Sequence, residues 1–150
     1  MKALLLKYIA LLWIGGSTYV TIEVFYRGYS HWSMFVLAGL IFIICGLMNE
    51  VWDWSTGLFT QVIIGTIFAT LSEFITGCVV NLWLGWDVWD YSDVPFNLLG
   101  QICPQFMLLW VPLILIAIVL DDVVRWKFFN EEAPRYRIGE EYIYFKNPLF

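Results

Sequence analysis

Four apolar runs, each long enough to cross a bilayer, constrain this chain more than any other feature. They lie at about residues 4–26, 34–52, 58–84 and 102–121. A helix rises 1.5 Å per residue, so about 20 residues cover the roughly 30 Å hydrocarbon core of a membrane. The 150 residues are 61% hydrophobic and only 14% charged, against about 45–50% and 25% in soluble domains. A soluble fold of this size could not bury so much apolar surface. The expected fold is therefore an all-α integral membrane protein. A four-helix transmembrane bundle occupies about residues 1–127, and a short soluble tail covers 128–150. Lys2 ahead of the first run could open a secretory signal. That run is too long, however, and no small-x-small cleavage pattern precedes a soluble domain.

The third run carries the densest polar pattern. Thr66, Thr70, Glu73, Gly77 and Asn81 are spaced by four, three, four and four residues, which places them on one helical face. Glu73 lies well inside the apolar run, where a charged residue costs about 2.5–3.5 kcal/mol to insert. It is expected to be protonated, paired or turned to the bundle interior. Thr18, Thr21 and Asn49 are candidate hydrogen-bond partners from neighbouring helices. Glu23 and Arg27 stand four apart on the first helix and are expected to form an ion pair near the membrane surface. Gly15, Gly16, Ser17, Thr18 and Thr21 give that helix the small, hydroxylated composition that permits close helix contacts in lipid.

Between the third and fourth runs lies an aromatic-acidic segment too short and polar to span, from Trp86 to Pro104. Trp86, Trp89 and Tyr91 suit the headgroup level of a membrane. Asp90 and Ser92 suit local turn caps, and Pro95 and Gly100 break regular structure. Asp121-Asp122 is expected to end the fourth helix, with Pro112 inside it. Arg135 to Phe145 alternates around Gly139 and reads as a small hairpin or an extended segment.

Metal and redox signals are weak. His31, the single histidine, has no Cys or His nearby in sequence, and no metal site is expected. Asp87, Asp90 and Asp93 recur every three residues, but a Ca²⁺ site needs about six to eight oxygens. Cys45, Cys78 and Cys103 suit helix contacts, and a Cys78–Cys103 disulfide is conceivable on an oxidising face. The formal net charge of -5 argues against nucleic acid as a partner. No cofactor is expected.

Lys2 and Lys7 mark the N-terminal end, and Arg125, Lys127, Arg135 and Arg137 mark the C-terminal end, whereas residues 85–101 hold no Lys or Arg. The positive-inside rule then puts both termini in the cytoplasm and the aromatic-acidic loop outside, in the cell membrane.

Glu73 followed by Thr76-Gly77, Trp89-Asp90-Tyr91-Ser92, Pro95-Phe96-Asn97 and Gly100-x-Ile102-Cys103 resembles the bacterial membrane family described as putative ABC-transporter type IV, the CmpB-like family. Arg27-Gly28 with His31-Trp32-Ser33-Met34 is similar to a related subgroup's first loop. Gln101 stands where the family pattern carries Arg, and the Gly-Pro-rich element usual in the N-terminal half is absent. The resemblance implies a permease. The chain has no nucleotide-binding motif, so ATP hydrolysis would come from another subunit.

The leading functional expectation is a small transporter or permease-like subunit with a polar face around Glu73, acting as a homo-oligomer or with a partner membrane subunit. The alternative is a non-transporting scaffold that binds partners through its loop and tail. A phage holin-like pore former ranks below both, because such a protein does not need the Trp89 to Ser92 motif. Enzymatic activity is least supported. Ser92 and His31 would have to meet across two loops, and no catalytic residue is assigned.

Overall fold

The computed structural model describes residues 2–145. Four helices cross from end to end: α1 (Lys2–Arg27), α2 (Trp32–Val51), α3 (Leu58–Gly77) and α4 (Pro104–Phe129). A six-residue π-helical segment, Cys78–Trp83, continues α3. Counting that segment with α3, all four are long and apolar enough to cross a membrane. The chain is an integral membrane protein with a short two-stranded tail.

The helices form because each is an unbroken apolar run, and they orient by what each face can touch. On α3, Phe59, Ile63, Ile67, Leu71 and Ile75 recur every four residues and are exposed. That exposed stripe suits lipid. The opposite face, with Gly65, Ala69 and Glu73, is buried. α1 packs on α2 through small residues. A methyl group on Gly16 would meet the Phe35 carbonyl at 2.6 Å, and one on Gly39 would meet the Leu12 carbonyl at 2.6 Å. These backbones approach too closely for larger side chains.

Contrary to expectation, α4 does not stop at Asp121-Asp122 but runs on to Phe129, where Asn130 in the left-handed conformation (φ 56°) ends it. Both aspartates are buried because partners surround them. Asp122 accepts from Asn49 Nδ2 at 2.5 Å and from the Tyr136 hydroxyl at 2.7 Å. Asp121 pairs with Arg125 one turn on, and its carboxylate lies against Gly46 of α2, where any Cβ would collide with it.

The tail's alternation resolves as an antiparallel hairpin of β1 (Arg135–Ile138) and β2 (Glu141–Tyr144), with Arg135 opposite Tyr144 and Ile138 opposite Glu141. Residues 146–150 of the expected tail lie outside the described residues. Tyr136 plugs the end of the bundle and meets Trp54 edge-on at 6.1 Å. Lys7 pairs with Glu131, which fixes the start of α1 beside the tail. The start of α1 and the tail thus share one end of the bundle, and the 84–103 loop caps the other.

Candidate functional site

The loop end is ordered by hydrogen bonds within the segment. Asp90 accepts from the Ser92 amide at 2.8 Å and from the Ser92 hydroxyl at 2.5 Å, closing an Asx turn. Those bonds, the hydroxyl's first, hold the Asp90 carboxyl below its ordinary range. Asn97 donates to the carbonyls of Ser92 and Val94 and accepts from the Gly100 amide at 2.9 Å. Gly100 has φ +68°, and a Cβ there would lie 2.6 Å from Ser92 Oγ, so this position requires glycine on both counts. Pro95 and Phe96 are exposed at the tip, and Cys103 is the buried N-cap of α4. Cys45, Cys78 and Cys103 are free thiols.

The α3 stripe divides in two. Its outer part holds the loop. Asn81 Oδ1 accepts from the Val88 amide at 2.7 Å, and its Nδ2 donates to Gln101 Oε1 at 2.8 Å. Trp89 Nε1 donates to the Gln101 carbonyl at 2.9 Å, and Gly77 lies against Gln101 and Trp89. Gln101, at the position where a basic residue was expected from family likeness, is thus a neutral hub of this contact. Thr66 and Thr70 face the packed interior further down the helix, away from the loop and from the cleft below.

Glu73, between these parts, is only 3% exposed. Its partners are not Thr18, Thr21 or Asn49. The Tyr91 hydroxyl donates to Oε1 at 3.2 Å and Trp110 Nε1 donates to Oε2 at 2.7 Å. Each of these rings belongs to a stacked pair. Tyr91 lies on Phe106 at 4.4 Å, and Trp110 lies on Tyr19 at 5.7 Å. Burial first, and then the Glu73 charge, push the Tyr91 phenol above its ordinary range and keep it a donor.

Glu73 opens onto a cleft of about 500 Å³ between α1, α4 and the loop. Glu23 and Arg27 of α1 line the same cleft. Their ion pair is formed, with Arg27 Nη2 at 2.8 Å from Glu23 Oε1. Ser30 also donates to Glu23, and Arg27 Nη1 donates to the Val88 carbonyl at 3.2 Å. Pro112 of α4 faces the cleft too, and its ring nitrogen cannot donate to the Leu108 carbonyl one turn back. The structure therefore gathers Glu73, Asp90, Tyr91, Glu23 and Arg27 around one space. It leaves Thr66, Thr70, Gly77 and Asn81 outside it.

Tyr19, Trp110 and Phe106 were not anticipated as site residues. Trp110 had a signal, since an indole N–H inside an apolar run needs an acceptor. Tyr19 had another, four residues before Glu23 on the same face.

Residues 8–137 match the family described as putative ABC-transporter type IV. No curated protein and no solved structure matches the chain.

Proposed function

The chain belongs to the putative ABC-transporter type IV family, and from that premise we propose that it is a permease-like membrane subunit whose working site is the cleft around Glu73. The observation that supports this most is a carboxylate buried within a membrane-spanning helix that also lines a cleft of about 500 Å³. Ionisable groups inside spans are costly and mark ion or substrate paths by default. Glu73 serves as the proton or cation ligand of that path. Tyr91 and Trp110 fix its rotamer from two sides, and the Glu23–Arg27 pair lines the outer part of the path. ATP hydrolysis, if the family's transport is ATP-driven here, belongs to a partner subunit. The loop faces outside and both termini face the cytoplasm, in keeping with the basic residues gathered at the tail end.

The test is flux. Proteoliposomes carrying the wild-type chain and a trapped pH-sensitive dye should dissipate an imposed proton gradient faster than those carrying Glu73→Gln. Equal rates would remove Glu73 from the path.

A second reading, a partner-binding scaffold, has one observation in its favour. Phe96 and Leu99 stand 89% and 62% exposed on the loop, both at positive φ, and large exposed apolar groups mark contact surfaces. Reproducible purification from native membranes with no associated protein would count against it.

A further inference from the structure

The cleft has a chemistry more specific than a polar path. Three acids line it, Glu23, Glu73 and Asp90, against one base, Arg27. That base is already matched by Glu23 at 2.8 Å and by the Val88 carbonyl. Glu73 has no cationic partner among the described residues. Both of its hydrogen bonds come from neutral aromatic groups, one from each of two stacked ring pairs. A carboxylate set among Tyr91, Phe106, Trp110 and Tyr19 offers a charge for a cation and ring faces for its alkyl or aryl groups. The rest of the wall is mainly aliphatic, from Ile22, Leu109 and Leu113, with Tyr26 adding one more ring. A volume of about 500 Å³ lies within the range of sites for drug-sized molecules. A small metal ion would leave the apolar wall unused, and an anion would face a surplus of carboxylates.

We infer that the cleft binds a hydrophobic organic cation, a monovalent onium or ammonium group with an apolar body, with Glu73 as its counter-ion. This rests on the reading of the cleft as a substrate site and names the class of substrate. Binding is measured without flux, so the two claims fail separately.

The probe is tetraphenylphosphonium, with tetraphenylborate as its match in shape and opposite in charge. Equilibrium dialysis against the detergent-solubilised full chain should show saturable phosphonium binding and much weaker borate binding. Glu73→Gln should weaken phosphonium binding by about tenfold or more, the usual worth of a charged partner in a dry site. Leu113→Trp, which narrows the cleft at one wall and keeps the carboxylate, should weaken it. Borate bound as tightly as phosphonium would overturn the inference, and that comparison needs no variant to fold. Unchanged phosphonium binding in Leu113→Trp would overturn it too, by placing the cation elsewhere. Saturable, charge-selective binding alongside equal proton flux in wild type and Glu73→Gln would uphold this inference and sink the transport reading alone.

Discussion

Glu73 is held by two neutral donors, and its neighbour on the stripe, Asn81, is held by the loop. The two residues share a helical face but do different work. Asn81 uses both ends of its amide, towards the Val88 amide and Gln101. Asn81→Leu would leave a buried backbone N–H without an acceptor, at about 1–3 kcal/mol. Thermal unfolding in detergent should show a lower midpoint for Asn81→Leu than for Asn81→Gln. Asp90 acts at the surface. Its folded-state pKa lies below the ordinary carboxylate value because Ser92 donates to it twice. A depressed pKa adds stability above the unfolded value, and that stability is lost as pH falls through the folded value. The Asx turn should therefore loosen only in acid below the ordinary carboxylate range. Asp90→Asn should flatten this pH response, as followed by backbone amide exchange at Ser92.

At the scale of elements, much of the bundle is legible in the sequence because hydropathy is a local signal. All four helices start within two residues of where their apolar runs begin. The Glu23–Arg27 pair is legible for the same reason, since its partners are one turn apart. What is not legible is set by distant partners. Asp121-Asp122 reads as a helix end until Asn49, 73 residues away, and Tyr136, 14 residues on, are seen to satisfy Asp122. Glu73 finds Tyr91 and Trp110 at separations of 18 and 37 residues, which no periodicity reports. The end of α4 makes this testable. Arg125→Met leaves the buried Asp121 carboxylate without its cation and should destabilise the protein by about 3 kcal/mol or more. Tyr136→Phe removes one hydroxyl and should cost only about 1 kcal/mol. It should nevertheless speed proteolytic release of the hairpin, because Asp122 ties that hairpin to α4. Equal effects of the two variants on the unfolding midpoint would contradict this ranking.

At the scale of the whole molecule, the two ends of the bundle are built differently. The tail end is closed. Lys7, Glu131, Arg125, Asp121, Asp122 and Tyr136 join α1, α4 and the hairpin. At the loop end the cleft lies between α1, α4 and the loop, and under the proposed function an occupant enters it from that side, away from the ionic cluster. The measurement that tests this most directly is thiol labelling of Leu113→Cys, at the cleft wall. The background is Cys78→Ala, because Cys45 and Cys103 are buried. In intact cells a membrane-impermeant, positively charged methanethiosulfonate should react with Cys at position 113. Wild-type-level protection should return when Leu113 is restored, and inside-out vesicles should show little reaction. Reaction with a membrane-permeant maleimide but none with the impermeant reagent from either side would mean that lipid or protein fills the cleft, and would contradict the account.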